Sequence, residues 1–287
     1  MIQDIGSSKL DISYNDRKPD TSDVVICFDS EERVMVSEKS MSQDNRLIFP
    51  NINKVNNTAE VTFLFTVDET PYYLLLSEEK KNVTGFSYQD FRRLRGVVRN
   101  LDLFIVFTAY HLWRWYMDNR ICGRCGSRLI RKNDERALIC KECKNTVYPR
   151  INPAVIVGVI NDDKILITRY RTGYAHNALV AGFTEIGETL EQTVAREVME
   201  ETGVKVKNIR YYKSQPWGMA QDILMGFFCE VDGDGEIHMD ENELKYAEWV
   251  TRDDLELQPS DISLTNEMMK VFKFGVNNEI LAKFNDL

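Results

Sequence analysis

Four of the chain's six cysteines fall in two pairs, Cys122-x2-Cys125 and Cys140-x2-Cys143, with fourteen residues between them. No other feature limits the local fold so tightly. Four thiolates at that spacing close a tetrahedron around Zn²⁺, and the intervening residues must then run as a short hairpin between two knuckles. Gly123 and Gly126, in "CGRCG", suit the tight turn that lets backbone amides face sulfur. Four thiolates leave no open coordination position, so a structural zinc is expected, one per subunit.

The surrounding composition sets wider bounds. A chain of 287 residues has room for about two domains, and 43% hydrophobic content supports buried cores. The net charge of −9 argues against wholesale wrapping of nucleic acid while leaving room for a local basic patch. One such patch is the ribbon itself. Residues 120–150 hold nine basic side chains against Asp134, Glu135 and Glu142, a net +6. These charges are read as offsetting four thiolates rather than as a sequence-specific nucleic-acid reader, although zinc ribbons of this sort do bind nucleic acid. The N-terminus is polar, and the longest apolar run, "LFIVFTAYHLW" from Leu103, is far short of the ~20 residues of a membrane helix. A cytoplasmic protein without a membrane segment is the expectation. Cys27 and Cys229, in apolar runs, are expected to be buried, inert thiols.

The chain divides into three parts by pattern: a β-rich N-terminal domain with C-terminal helices (1–117), the zinc ribbon (118–149) and an α+β domain (150–287). The first part carries strand-like runs, "DVVICF", "RLIFP", "EVTFLFTV" and "PYYLLL". From "SYQDFRRLRGVVRN" onward the pattern predicts helix, with Phe104, Phe107, Tyr110 and Trp113 forming a core stripe at spacing three. Beyond the ribbon, "YPRINPAVIVGVIN" and "DKILITRYR" read as a hairpin turning at "NDD". Later strands are "VKNIRYYKSQPW", "ILMGFFCEV" and "LKYAEWVT", followed by a helix, "SLTNEMMKVFKFGV".

Between them lies "AGFTEIGETLEQTVAREVMEETGV", Ala181 to Val204. Thr189 or Glu188 begins a helix and Gly203 ends it. Leu190, Val194 and Val198 give the buried stripe. At ~100° per residue, Glu197, Glu200 and Glu201 crowd an arc of roughly 100°, near a C-terminus whose dipole disfavours anions. A helix selected only for stability would carry Lys or Arg there. A divalent cation removes the conflict, since Mg²⁺ takes a few carboxylates and fills its shell with water and phosphate oxygens. The glycines of "GFTEIG" let backbone approach a ligand, and Arg196 offers a bidentate fork to a carboxylate.

This segment resembles the Nudix hydrolase signature: Gly182, five residues, Glu188, seven residues, then "REVMEETGV". The resemblance implies an α/β/α sandwich with a mixed sheet and metal-assisted attack of water on a nucleoside diphosphate linked to another group. It implies Glu197, Glu200 and Glu201 as ligands of a catalytic Mg²⁺ or Mn²⁺, with Glu201 also the base and Arg196 and Glu188 orienting. The preceding zinc ribbon and the downstream "SQPW", Ser214 to Trp217, resemble the NADH pyrophosphatase subfamily. That implies cleavage of NAD(H) to nicotinamide mononucleotide and AMP, removal of NAD caps from RNA, and a homodimer. By the same resemblance Ala181 gives a metal ligand through its carbonyl and Glu243 a further one. Tyr148 and Phe183 flank a base, with core packing as the alternative. Glu135, Thr265 and, more weakly, Arg95 contact substrate, with a surface ion pair equally open for Arg95.

The loop after SQPW departs from the subfamily. Gln215, Pro216 and Trp217 match, but Pro-Phe-Pro is replaced by Gly218, Met219 and Ala220, followed by Gln221 and Asp222. Losing two prolines reduces preorganisation, Met replaces a rigid ring, and Asp222 adds an acceptor suited to ribose hydroxyls or an exocyclic amine. This opens a second expectation, hydrolysis of another substrate such as ADP-ribose, a dinucleoside polyphosphate or FAD. A third is a non-catalytic nucleotide sensor or RNA-binding module, against which stands the complete set of glutamates.

Overall fold

The computed structural model describes residues 1–40, 44–55, 61–77, 80–172 and 176–275. The chain forms two compact units, one made of Ile2–Ile151 with Trp217–Gln221, the other of Met1, Asn152–Pro216 and the chain from Asp222 on.

The first unit opens with strands β1 (Leu10–Asp11), β2 (Val24–Ile26) and β3 (Val34–Ser37), then a single turn of helix, α1 (Ile52–Val55). Strands β4 (Val61–Val67), β5 (Thr70–Leu75) and β6 (Phe86–Gln89) follow. The sheet runs β1-β4-β5-β2, and β3 pairs with β6. Val25, Cys27, Phe63, Tyr73 and Leu75 pack its core with Ile52 and Val55. Cys27 is therefore a buried thiol.

Two expectations for this unit change. "RLIFP" is no strand, because its backbone donors go to side chains: Leu47 N–H to Asp102 (2.9 Å) and Ile48 N–H to Ser40 (3.0 Å). The helical pattern from Ser87 is interrupted. Residues 87–89 belong to β6, whose partner β3 is some fifty residues earlier, and Phe91–Leu94 make a 3₁₀ turn capped by Asp90. The long helix, α2, spans Asn100–Asp118, and Phe104, Phe107, Tyr110 and Trp113 are all buried on it. Strands β7 (Leu129–Arg131), β8 (Leu138–Cys140) and β9 (Thr146–Val147) then form the hairpin sheet of the cysteine block.

The second unit is a helix–sheet–helix sandwich. Its strands are β10 (Asn152–Asn161), β11 (Lys164–Tyr170), β12 (Val180–Phe183), β13 (Val206–Trp217), β14 (Asp222–Val231) and β15 (Leu244–Thr251). Its helices are α3 (Leu190–Thr202) and α4 (Leu264–Phe274). The sheet runs β13-β14-β10-β11-β15 with β12 added to β10. It is mixed: β10 is parallel to β14 and antiparallel to β11 and β12. Alternation along β10 sorts the core. Val155, Val157 and Val159 meet Val194 and Val198 of α3 on one face. Ile156 meets Met268, Met269 and Phe272 of α4 on the other. Fully burying each valine stabilises the sandwich by about 1.5–3 kcal/mol. Gly158 has no room for a side chain, since a Cβ there would stand 2.7 Å from the Phe228 ring. The "NDD" turn, the later strands and the last helix lie where the sequence pattern puts them; Val276 of that last run, and Glu60 of "EVTFLFTV" in the first unit, lie outside the described residues. Cys229 is buried in the α3-side core.

Candidate active site

Local sequence builds α3. Thr189 Oγ1 accepts from Gln192 N–H (3.3 Å) while Gln192 Oε1 accepts from Thr189 N–H (2.8 Å), a reciprocal cap that starts the helix. Gly203, at φ +72°, ends it by donating its N–H to the Met199 carbonyl. The cap also fixes the incoming loop, because Glu188 accepts from Thr193 Oγ1 at 3.0 Å.

Arg196 organises the rest. Its fork grips Glu188, Nε to Oε1 at 2.6 Å and Nη2 to Oε2 at 2.9 Å. The bidentate partner is thus Glu188, eight residues back, and not the adjacent Glu197. Nη2 also donates to the Phe183 carbonyl, and Nη1 donates to Glu197 (2.7 Å) and Glu200 (2.9 Å). The guanidinium, with the Glu185 amide, brings the Glu188 carboxyl down to about 2. Glu188 in turn raises the guanidinium's own pKa, so the pair stays ionised.

Glu201 has no such partner. It is 1% exposed, and Tyr170 Oη donates to it at 3.1 Å. Burial pushes its carboxyl up to about 8; the Tyr170 hydroxyl opposes that shift, and the charges of Glu197 and Glu243 add to it. Burial likewise raises Glu197, against the pull of Arg196. The Glu197 carboxylate lies directly on the backbone of Gly182, where a Cβ would stand 1.9 Å from its carboxyl carbon. Tyr170 Oη is 3.4 Å from the Ala181 carbonyl, so that oxygen and Glu201 converge. Glu243 is exposed beyond β14, its own carbonyl bonded by the Arg171 N–H. Its charge reaches both Glu197 and Glu201.

Within the second unit the fold therefore gathers Ala181, Glu197, Glu201 and Glu243, with the outer Glu200 turned toward Arg196. The donors are hard oxygens, and the arginine beside them is already committed to Glu188. The raised carboxyls of buried Glu201 and partly buried Glu197 mark a place short of positive charge, and the donor set fits a divalent cation. The carboxylates are held apart, Glu197 and Glu200 by Arg196 and Glu201 by Tyr170. Tyr170 was not foreseen. A tyrosine ending a strand carries no signal of its own, and a register shift between Arg169 and Tyr170 is part of what places it.

The cysteines, by contrast, are already clustered. Their sulfurs all lie within 4.8 Å of one another, with Cys122–Cys143 at 3.6 Å and Cys125–Cys140 at 3.4 Å. Four thiolates about 2.3 Å from a tetrahedral centre stand about 3.8 Å apart, so the set fits zinc. Of the two glycines, it is Gly126, at φ +76°, that makes the left-handed turn; Lys144 (φ +61°) does the same in the second knuckle. The Ser127 hydroxyl and amide bring Cys125 down to about 6. The Asn145 amide favours the Cys143 thiolate, yet its three sulfur neighbours push it up to about 12. Four sulfurs this close cannot all ionise without a cation between them.

The remaining expected contacts separate by unit. In the second, Phe183 is 54% exposed, which removes core packing as its explanation, and Pro216 is exposed too. Thr265 is half-buried on α4. Gln215 and Asp222 are corrections. Gln215 is fully buried, its Nε2 donating to the Ile262 carbonyl (2.8 Å) and its Oε1 accepting from Leu264 N–H (2.7 Å). It ties the end of β13 to the start of α4 and, fully buried, presents no amide atom at the surface. Asp222 is 5% exposed and paired in register with Asn152. An acceptor for ribose would have to be open, and this one is not.

In the first unit, Tyr148 is 57% exposed and its hydroxyl donates to Glu135 at 3.2 Å. Trp217 lies edge-on to Phe107, with centroids 5.4 Å apart, under the Arg95 guanidinium at 5.4 Å. Arg95 also reaches the Met219 sulfur. Gly218 sits against the Phe107 carbonyl, where a Cβ would be 2.0 Å from the oxygen. Ala220 is exposed, and Gln221, at φ +63°, accepts from Arg150.

Comparison with known proteins identifies the family. Residues 150–270 match the family model described as NUDIX domain, and residues 118–148 match the NADH pyrophosphatase zinc ribbon domain. A protein named NAD-capped RNA hydrolase NudC, from Escherichia coli O1:K1 / APEC, is 46% identical over 151 residues, 52% of this chain and 58% of that one. Its namesake from Shigella boydii serotype 18 is 43% identical over 180 residues, 60% of this chain and 69% of that one. A Nudix hydrolase structure from Nitrosomonas europaea aligns at TM-score 0.48 and 20% identity, over 54% of this chain and 90% of that one. The chain belongs to the Nudix hydrolases, in the branch that carries this zinc ribbon. It spans 58% of the length of the Escherichia coli relative. Among the described residues no helix is long and apolar enough to cross a membrane.

Proposed function

We propose that this protein is a metal-dependent diphosphatase that hydrolyses NAD(H) to nicotinamide mononucleotide and AMP and cuts the same bond in NAD-capped RNA, releasing nicotinamide mononucleotide and leaving a 5′-monophosphate. The observation that carries the reading is Glu201, a buried carboxyl displaced to about 8 beside two further carboxylates and a converging carbonyl. The relatives' names point to the substrate.

Glu197, Glu200, Glu201, Glu243 and the Ala181 carbonyl would hold the Mg²⁺ or Mn²⁺. That ion, when bound, offsets the pyrophosphate's charge and acidifies a water. The chain's own residues do the rest. Arg196 fixes Glu188 and the outer carboxylates, so the site is preorganised before substrate arrives. Glu201 takes the proton of the attacking water as the water oxygen bonds to phosphorus. The bridging P–O bond breaks on the far side, and one mononucleotide leaves with the bridge oxygen.

Incubating the protein with NADH and Mn²⁺ and separating the products tests this directly. Nicotinamide mononucleotide and AMP are expected; their absence rejects the assignment. A second reading rests on the loop, where Met219 rather than a rigid ring meets Arg95. Under it, ADP-ribose, a dinucleoside polyphosphate or FAD gives the highest kcat/KM in a substrate panel, and a clear NADH optimum dismisses it. The same reading makes the protein a cytoplasmic homodimer, which sedimentation of the purified protein tests for assembly.

A further inference from the structure

The basic ribbon does not act alone in the first unit. Two adjoining clefts share Arg131 and Asn133 at their junction, at and just past the end of β7. One, of about 460 Å³, is lined by Arg120, Arg128, Tyr116 and Ile130 between the end of α2 and the hairpin. The other, of about 190 Å³, is lined by Arg17, Lys18, Lys132 and Tyr14. Among the described residues lining the two, six are cations and one, Asp16, is a carboxylate, in a chain whose net charge is −9.

Balancing the zinc thiolates and the negative end of α2 accounts for Arg120 and Arg128. It does not account for Arg17 and Lys18, which the fold brings in from the far N-terminus. The link is Tyr14, whose hydroxyl donates to the Lys132 carbonyl at 2.9 Å across 118 residues of sequence. Arg131 gives one nitrogen to the Val61 carbonyl at 2.9 Å, which fixes the side chain without cancelling its charge. Two cations are partly offset, Lys132 by Glu135 and Asp134 and Arg17 by Asp20 at 4.0 Å.

We infer that this strip is a track for single-stranded RNA, holding its phosphodiesters. Guanidinium forks match phosphate oxygens, and a half-buried tyrosine at the rim offers a face for a base. The track reads charge and not sequence, so it agrees with a ribbon that is no sequence-specific reader. The inference rests on the reading that capped RNA is a substrate, and it explains what NADH hydrolysis alone does not need.

The test uses the full chain and an uncapped 5′-hydroxyl RNA of about 12 nucleotides, within the span of a single-strand site. Fluorescence anisotropy is followed from about 50 to 200 mM salt. Each phosphate contact contributes about 0.7 to the slope of log Kd on log salt, so R128E/R131E is expected to weaken binding at least about tenfold and flatten the slope by about 1.4. K18E/R128E, which leaves the Arg131–Val61 bond in place, is expected to do the same with unchanged zinc content. NADH turnover stays within about twofold of wild type while kcat/KM on NAD-capped RNA falls about tenfold, which separates this inference from the catalytic assignment. Unchanged RNA affinity in both variants overturns it. So does an equal loss on NADH and capped RNA, or a polyglutamate peptide that outcompetes RNA, which would make the strip a site for acidic protein. Failure of NADH hydrolysis by wild type rejects the catalytic reading and leaves the anisotropy result to judge the track.

Discussion

Replacing a candidate catalytic residue is expected to make this protein more stable. In Glu201→Gln the buried carboxyl becomes an amide of the same shape, and its oxygen still accepts the Tyr170 hydroxyl that lies 3.1 Å away. The folded chain holds Glu201 near 8, against 4.5 for an ordinary glutamate. The folded state therefore binds this proton more tightly than the unfolded state does. That advantage is full below pH 4.5 and is lost as pH rises through 8. For those two values, metal-free wild type loses about 3 kcal/mol by pH 7 and about 5 kcal/mol by pH 9, at 1.36 kcal/mol per pKa unit. Gln has no proton to lose, so with chelator present E201Q should match wild type near pH 4.5 and exceed it by about 3 kcal/mol at pH 7. Urea unfolding at stepped pH measures the difference. Adding Mn²⁺ reverses the order, because wild type gains binding free energy that the amide forfeits. A variant less stable than wild type at pH 7 without metal, or a difference flat across pH, would refute the argument that Glu201 is a buried charge awaiting a cation.

Other expected outcomes follow from single contacts. Gly182→Ala puts a Cβ where the Glu197 carboxyl stands, so Mn²⁺ affinity measured by electron paramagnetic resonance should fall about tenfold or more while helix content holds. Tyr170→Phe removes the donor to Glu201 and should destabilise metal-free protein by about 1–2 kcal/mol more at pH 9 than at pH 5, where the carboxyl is protonated. Cys140→Ser should remove the zinc found by elemental analysis, about one per chain, and speed hydrogen exchange across residues 120–148.

Helix α3 was legible because its signals are local. A cap, a four-residue apolar spacing and a terminal glycine are read within twenty residues, and the crowding of Glu197, Glu200 and Glu201 follows from helical geometry alone. The zinc knuckles are legible for the same reason. What misled was non-local. "RLIFP" has strand residues, but Asp102, fifty-five residues on, takes the Leu47 amide. "SYQD" begins a helical pattern, but β3 claims its backbone. Gln215 and Asp222 show the limit inside the site: polar residues in a ligand loop and polar residues buttressing that loop look alike until burial separates them. The basic strip was half legible, since the ribbon's charge is local and the contribution of Arg17 and Lys18 arrives through the fold.

A second arginine near Glu201 would solve the charge problem without any metal, and its absence among the described residues is informative. A guanidinium is permanently charged and hydrogen-bonds in the carboxylate plane; it would fix Glu201 as ionised and leave no coordination position for water. Arg196 shows what such a partner does, since it brings Glu188 down to about 2 and makes it a poor proton acceptor. A base must instead be neutral or charged as the reaction requires, which calls for a counter-charge that comes and goes with the substrate. The division between helix α3 and the loop that enters it is therefore chemical: Glu188 and Arg196 are locked to each other, and Glu201, five residues past that arginine, is left unlocked. Moving the lock tests this. A lysine introduced at Tyr170, whose hydroxyl already meets Glu201, should bring Glu201 back toward the ordinary glutamate range, stabilise the metal-free protein at pH 8, and abolish diphosphatase turnover. Retained turnover in such a variant would show that the buried carboxyl's displacement has no part in the chemistry.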